Sequence, residues 1–90
     1  MLEGSIKVIN PLGLHARAAA QLVKLANGFR SRIILKRLDK SADADANSIL
    51  SLLTLAASSG TMLHLTAEGE DEREAYDSVV DIFNKGFGEL

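Results

Sequence analysis

The sequence has no cysteine, no tryptophan, a single proline and few aromatic residues. Without cysteine, neither a disulfide framework nor a thiolate metal site can form, so packing alone must hold the fold. No apolar stretch approaches the roughly 18 residues that a membrane span needs. The opening MLEGSIKVIN also lacks the basic start and apolar run of a signal peptide. These absences predict a cytoplasmic protein that does not contact a membrane.

A strong charge of either sign is lacking too. Ten basic against twelve acidic residues give a formal net charge of −2, which argues against a nucleic-acid-binding surface and favours protein partners. The 90 residues are 47% hydrophobic and 24% charged, as in one globular domain covering 1–90. A domain of this size forms one thin core without a deep cavity. We therefore expect its chemistry at the surface.

Seven segments carry the periodicity of strands or helices. The predicted strands are 5–9, 32–38, 41–46 and 62–67, and the third, SADADA, has the weak character of an edge strand. The predicted helices are 16–27, 49–57 and a segment that leads from the acidic run 70–74 to Lys85. The order β-α-β-β-α-β-α predicts an α+β fold. We expect an open two-layer sandwich, with three helices on one face of a four-stranded antiparallel sheet.

The segment with most chemical content, Gly13 to Arg17, places an imidazole and a guanidinium at the start of the first helix. The first backbone amides of a helix lack partners within it, so those of Ala16 and Arg17 can bind an anion attached to His15. The helix dipole also favours the neutral imidazole, which keeps a nitrogen lone pair available. Arg17 can bind two phosphate oxygens at once. This arrangement predicts a phosphohistidine at His15.

Other interpretations of this segment stay open. His15 can simply cap a turn, with Arg17 as an ordinary solvated side chain. A metal site is less favoured, because His15 and His64 are the only histidines and no pair of ligands shares one helix. We expect His64 to be a solvated surface residue, and no cofactor is predicted. A small chain without a pocket also fits poorly with a hydrolase.

The second predicted helix suggests a docking surface. Its helical spacing predicts a buried stripe of Ile49, Leu52, Leu53 and Ala56. Leu50 and Leu55 are left on other faces, which a short helix cannot bury. Exposed apolar side chains near a reactive histidine indicate a docking surface, although isolated exposed leucines are common. The predicted contact residues are Leu14, Ala16 and Ala20 around His15, and Ile49, Leu50 and Leu53 on the second helix.

Three stretches resemble the histidine-containing phosphocarrier (HPr) family of the bacterial phosphoenolpyruvate-dependent phosphotransferase system. They are LGLHARAAA around His15, ANSILSLLTLAASSG from Ala46 to Gly60, and LTAEGEDEREA. His-Ala-Arg together with Asn-Ser-Ile at this spacing is highly specific, and the resemblance spans nearly the whole chain. NPLGLHAR, ANSILSLL and FNKGF are most similar to the nitrogen-related (NPr-like) branch. The resemblance implies an HPr-like fold.

The resemblance also implies a phosphocarrier without independent turnover. His15 would accept a phosphoryl group from phosphorylated enzyme I and pass it to an enzyme IIA partner in a regulatory branch, with Arg17 binding the phosphate. The family usually has proline where this chain has Ala18, a change expected to cost at most about 1 kcal/mol. We expect a monomer. The alternative is a regulatory module that docks without phosphoryl transfer.

Ser48 matches a position that a dedicated HPr kinase phosphorylates in some bacteria, so the resemblance implies this kinase as a further partner. A phosphate at a helix N-terminus meets the positive end of the dipole and changes the charge of a binding face. The alternative is structural, because Ser48 or Asn47 is also a preferred capping residue at this point.

Overall fold

The computed structural model describes residues 1–90 and contains four strands and three helices. The strands are β1 (Leu2–Lys7), β2 (Arg32–Arg37), β3 (Ala42–Asp45) and β4 (Met62–Glu68), and the helices are α1 (Ala16–Ala26), α2 (Ile49–Thr54) and α3 (Glu72–Asn84). A short 3-10 turn, Gly86–Gly88, follows α3. The predicted β-α-β-β-α-β-α order is confirmed, while the sequence patterns do not predict the final turn.

The four strands form one sheet in the order β1-β4-β2-β3, and every neighbouring pair is antiparallel. β3 therefore lies at an edge, as predicted. In β4, Leu63, Leu65 and Ala67 are buried while the residues between them are more exposed, because alternate side chains of a strand point to opposite faces. One face of the sheet is covered by the helices, and the other, which we call the open face, carries His64.

The helices and the covered face enclose a single core. α1 packs against α2 and α3, and α3 also packs against β1 and β4. The resulting cluster contains 21 buried residues, and its largest fully buried side chains include Leu22 of α1, Leu52 of α2 and Phe83 of α3. None of the helices combines the length and the apolar character needed to cross a bilayer.

The second helix is shorter than predicted, because it ends at Thr54 rather than at residue 57. Ala56 adopts a left-handed φ of 49°, which interrupts the helical path. The Arg37 guanidinium donates hydrogen bonds to the carbonyls of Leu55 and Ala56 at 2.9 and 3.1 Å. These carbonyls are the kind of acceptor that a helix leaves unsatisfied at its end. A side chain from β2 thus stabilises the end of α2.

The early end of α2 changes which of its side chains are buried. Leu52 is buried as predicted, but Ile49, Leu53 and Ala56 are exposed, so the predicted stripe is wrong for these residues. Leu55 is buried, against the prediction that it stays on an outer face. For Leu55 and Ala56 the physical reason is that the chain leaves the helix at Leu55, where a spacing of 3.6 residues per turn no longer decides which side chains face inward. Ile49 and Leu53 lie within α2, which buries only Leu52, so the predicted stripe was too wide.

Candidate functional site

His15 caps the N-terminus of α1. Its backbone is extended, with φ −78° and ψ −179°, and its Nδ1 atom accepts a hydrogen bond from the Arg17 amide at 3.3 Å. The capping interpretation of His15 is therefore confirmed, since an N-cap side chain commonly satisfies one free amide of the first turn. The same contact places Nδ1 at the positive end of the helix. The side-chain position that caps the helix therefore also places Nδ1 where an anion bound to it would face the N-terminus of α1.

Two other backbone donors of the first turn have no partner. The backbone N–H groups of Ala16 and Ala18 donate to no atom of the chain, as expected at a helix N-terminus. Ala18 is fully buried whereas Ala16 is exposed, so only the Ala16 amide can meet a ligand from outside. The Arg17 side chain is exposed and forms no ion pair. An anion at Nδ1 would meet the free Ala16 amide in a turn that also carries the unpaired Arg17 guanidinium.

Glu89 holds the other nitrogen of the imidazole. Its Oε2 contacts His15 Nε2, and an ionised carboxylate can only accept a hydrogen bond. The hydrogen bond with His15 holds the pKa of the Glu89 carboxyl below its usual range, against partial desolvation and with help from the Asn10 amide. The Nε2 atom therefore carries a proton, and its N–H donates the hydrogen bond that Glu89 accepts. In a neutral imidazole this leaves the lone pair on Nδ1.

Asn10 anchors the Glu89 carboxylate to the loop before His15. Asn10 is fully buried, and its Nδ2 donates to the Gly13 carbonyl at 2.7 Å and to Glu89 Oε1 at 3.2 Å. Its own Oδ1 is buried without a partner. One side chain thus joins the His15 loop to a residue that lies 79 positions away in the sequence.

Glu89 reaches the site because the chain turns sharply after α3. Gly86, Phe87 and Gly88 have left-handed φ values of 57°, 54° and 78°, and they form the 3-10 turn that precedes Glu89. The Phe87 side chain is buried and packs edge-on against Phe83, with ring centroids 4.9 Å apart, a favourable arrangement for aromatic pairs. The core therefore anchors the turn that presents Glu89.

The loop before His15 packs against the segment that follows α2. The Leu14 amide donates to the Ala57 carbonyl at 2.8 Å. Gly13 has a φ of 69°, and a Cβ at this position would lie 2.6 Å from that carbonyl oxygen, so the loop requires glycine. The Leu14 side chain is only 5% exposed. The prediction that Leu14 contacts a partner is therefore wrong, because its side chain belongs to the core.

This geometry agrees with the comparison with known proteins. Residues 2–85 match the family described as "PTS HPr component phosphorylation site". The chain belongs to the HPr family. Its relatives are named phosphocarrier proteins, which carry phosphoryl groups and are not enzymes with independent turnover.

Curated relatives and solved structures of the HPr family cover nearly the whole chain. The phosphocarrier protein NPr of Escherichia coli (strain K12) is 38% identical over 88 residues, which is 98% of this chain and 97% of the relative. The phosphocarrier protein HPr of Pseudomonas aeruginosa is 44% identical over 84 residues, covering 93% and 92%. The crystal structure of HPr-C-His from Thermoanaerobacter tengcongensis has a TM-score of 0.92 at 40% identity and covers 100% of this chain and 99% of that chain. The predicted fold is confirmed, and the likeness extends to both NPr and HPr.

In this HPr-family chain, Ser48 is the N-cap of α2. Its Oγ accepts a hydrogen bond from the Ser51 amide at 3.3 Å, so the capping interpretation of Ser48 is confirmed. Asn47 does not act as the cap, and its backbone amide donates to the Asp45 carboxylate at 3.2 Å. A regulatory role of Ser48 stays a prediction.

Several apolar side chains around α2 and the His15 loop are exposed. They include five of the predicted contact residues, namely Ile49, Leu50 and Leu53 of α2 and the small Ala16 and Ala20 of α1. Leu12, in the loop before His15, is 66% exposed, and sequence analysis missed it because a loop has no periodicity to interpret. We call these six residues the apolar patch. Its use in docking stays a prediction.

The roles of Glu89 and Asn10 in this site are not predicted by the sequence. The glycines on either side of Phe87 signal a turn after α3. The sequence does not predict that this turn places Glu89 against His15, because the two residues are 74 positions apart. Asn10 is recognisable from the sequence only as a turn residue, although it is one of two buried polar residues.

The second histidine lies apart from this site. His64 is 30% exposed on the open face and pairs with Glu3, with Nε2 and Oε1 2.9 Å apart. It is therefore partly shielded and paired, and not simply solvated as predicted. No group of three or more His, Cys, Asp or Glu side chains is placed to hold a metal ion.

Proposed function

We propose that residues 1–90 act as one HPr-like domain that carries a phosphoryl group on His15. The group comes from phosphorylated enzyme I, and originally from phosphoenolpyruvate, and passes to an enzyme IIA partner in a regulatory branch. The observation that carries the proposal is the imidazole whose Nε2 contacts Glu89 and whose Nδ1 lies at the N-terminus of α1. Family membership, with an NPr among the relatives, supports the carrier role and the branch.

The acceptor atom in this proposal is Nδ1 of His15. Its lone pair attacks phosphorus while the bond to the donor atom of enzyme I breaks, and the electron pair of that bond stays with the donor. The phosphoryl oxygens then accept hydrogen bonds from the free, exposed amide of Ala16 and from the Arg17 guanidinium. The Arg17 amide also becomes free, because the lone pair that it contacted is used in the new bond. Donors placed in advance stabilise the developing charge.

The same histidine must meet two partners in turn. Its side chain is only 24% exposed, so a partner has to approach closely, and the small side chains of Ala16 and Ala20 leave room for this. The apolar patch supplies surface that gains from being buried against enzyme I or enzyme IIA. His15, Arg17 and Glu89 all come from one chain, so we propose a monomeric carrier, although one solved HPr from Thermoanaerobacter tengcongensis is a dimer. The proposal includes a cytoplasmic location.

We also propose Ser48 as a regulatory site for an HPr kinase. The residue caps α2 directly before Ile49 and Leu50, which belong to the apolar patch. A phosphate on Ser48 would place charge at the rim of this patch, where a partner would have to desolvate it. The fold would tolerate the charge, because the positive end of the α2 dipole faces it.

Intact mass measurement after incubation with phosphoenolpyruvate and enzyme I tests the carrier proposal. The wild-type chain is expected to gain one phosphoryl group that mild acid removes. His15→Ala is expected to gain none, and His64→Ala, the matched control, is expected to gain as much as wild type. A wild-type chain that binds enzyme I but gains no phosphoryl group would favour the alternative, a regulator that docks without transfer.

A further inference from the structure

We infer that Glu89 is a positioning residue for phosphoryl transfer, which keeps the proton on Nε2 of His15 while Nδ1 gains and loses the phosphoryl group. The inference rests on the proposed function, because it assigns a role within the same site. It adds a residue from the far end of the sequence, together with the Asn10 side chain that holds it.

The Glu89 carboxylate is held on both oxygens. Oε2 contacts His15 Nε2, and Oε1 accepts from Asn10 Nδ2 at 3.2 Å. The Glu89 side chain is only 14% exposed, which limits its freedom to turn toward solvent. A carboxylate fixed in this way selects one tautomer and one orientation of the imidazole, as second partners of reactive or metal-binding histidines commonly do.

The balance of charge explains why a carboxylate suits this place. When Nδ1 bonds to phosphorus and Nε2 keeps its proton, the ring becomes a cation. Glu89 neutralises that cation without taking the proton. In the onward step the acceptor atom of the enzyme IIA partner bonds to phosphorus while the bond between Nδ1 and phosphorus breaks. The electron pair of the broken bond returns to Nδ1, and a neutral imidazole is left with the proton still on Nε2. The same carboxylate therefore assists transfer of the phosphoryl group both to Nδ1 and away from it, as a carrier requires.

Two costly features of the structure converge on this contact. Phe87 holds a left-handed φ of 54°, a conformation that is unfavourable for a residue with a side chain. Asn10 is fully buried with an unpartnered Oδ1, although buried polar atoms are normally paired. The first feature directs the chain to Glu89, and the second fixes the Glu89 carboxylate. Local strain that serves one contact indicates a functional use of that contact.

The test compares three variants of the full chain with wild type. Glu89→Gln keeps the shape and an acceptor but removes the charge, and Glu89→Ala also removes the acceptor. Glu3→Gln is the matched control, since Glu3 contacts Nε2 of the other histidine in the same way. The readouts are the initial rate of phosphoryl transfer from enzyme I, the imidazole nitrogen NMR shifts of His15, and thermal unfolding.

We expect Glu89→Gln to lower the transfer rate by about tenfold and Glu89→Ala by more, while Glu3→Gln matches wild type. The NMR shifts should show a protonated Nε2 in wild type and a mixture of tautomers in Glu89→Ala. Wild-type transfer rates and an unchanged tautomer in folded Glu89 variants would overturn the inference while leaving the carrier function intact. A wild-type chain that takes up no phosphoryl group would instead overturn the proposed function, and the tautomer measurement would still decide whether Glu89 positions the imidazole.

Discussion

The molecule contains the same pair of residues twice, a histidine whose Nε2 contacts a glutamate. His15 and Glu89 meet at the N-terminus of α1, and their side chains are 24% and 14% exposed. His64 and Glu3 meet on the open face, where the values are 30% and 55%. The two imidazoles differ little in exposure, whereas Glu89 is much less exposed than Glu3. The contrast between the pairs therefore lies in the carboxylate and in the backbone around it.

The difference lies in the features that we propose make His15 a phosphoryl acceptor. Around His15, a helix N-terminus supplies free amides, Arg17 supplies a free cation, and Asn10 holds the carboxylate in place. His64 is in the middle of β4, between Ser5 of β1 and Lys36 of β2, where the backbone amides serve the sheet. A histidine–glutamate pair alone therefore carries no information about phosphoryl transfer. Substitutions at each of the surrounding features should separate their contributions.

Reversing the charge of Arg17 should have the largest effect on transfer. We expect Arg17→Glu to slow phosphoryl transfer to His15 by about 100-fold, because a carboxylate there repels the group that the guanidinium binds. Stability should change little, since an acidic side chain suits the first turn of a helix. The rate of phosphoryl transfer from enzyme I and the thermal unfolding of the variant provide the measurement.

Arg73→Glu is the matched control for Arg17, because Arg73 is the second residue of α3 as Arg17 is the second residue of α1. It should transfer at the wild-type rate. A large loss of stability in Arg17→Glu with normal transfer would show that the role assigned to Arg17 is wrong.

The loop that presents His15 should tolerate substitution less than the turn that leads to His64. We expect Gly13→Ala to lower the free energy of unfolding by about 2 kcal/mol or more, because it combines a positive φ with a Cβ 2.6 Å from the Ala57 carbonyl oxygen. Gly60→Ala carries only the strain of its φ of 94°, with nothing within 4 Å of the added Cβ. Urea unfolding of both variants measures the difference, and equal losses would mean that the contact with Ala57 is not what demands glycine.

A charge beside the apolar patch should weaken docking more than a charge beside His64. We expect Ser48→Asp to weaken binding to enzyme I by about tenfold, with a stability change below about 1 kcal/mol. Ser5→Asp is the control, because Ser5 pairs with His64 across β1 and β4. Isothermal titration against enzyme I at two salt concentrations measures both. Equal affinities of Ser48→Asp and wild type at low salt would place Ser48 outside the docking surface and leave it as a capping residue.

The comparison of the two pairs also shows what the sequence can and cannot predict. The alternation of β4 predicts the inward Leu63 and Leu65 and the outward His64, because a strand with one buried face repeats every two residues. His15 at a helix start is likewise predictable, since local signals mark helix ends. The end of α2 is not predictable, because Arg37 caps it from another strand. Glu89 is missed for the same reason, since its contact depends on how the turn after α3 packs.

The pH dependence of stability should show the smallest effect and should distinguish the two carboxylates. The pKa of Glu89 is lowered from 4.5, mainly by its hydrogen bond with His15, so the folded state favours the charged form. The contribution of this carboxylate to stability is therefore complete above its ordinary pKa, and it is lost as the pH falls through the lower pKa of the folded state. We expect Glu89→Gln to be less stable than wild type at neutral pH, by more than Glu3→Gln, because solvent screens the more exposed pair of Glu3 and His64 more strongly.

Urea unfolding of wild type and both glutamine variants from about pH 7 to about pH 3 measures this effect. The difference in the free energy of unfolding between wild type and Glu89→Gln should become smaller only in the acid range. Asp71 and Asp39 also have lowered pKa values, through hydrogen bonds with Ser31 and Arg37 respectively. Both residues are present in wild type and in the variants, so their contributions cancel in the difference. A gap that stays constant down to the lowest pH would mean that Glu89 stabilises the fold through packing and not through its charge on His15.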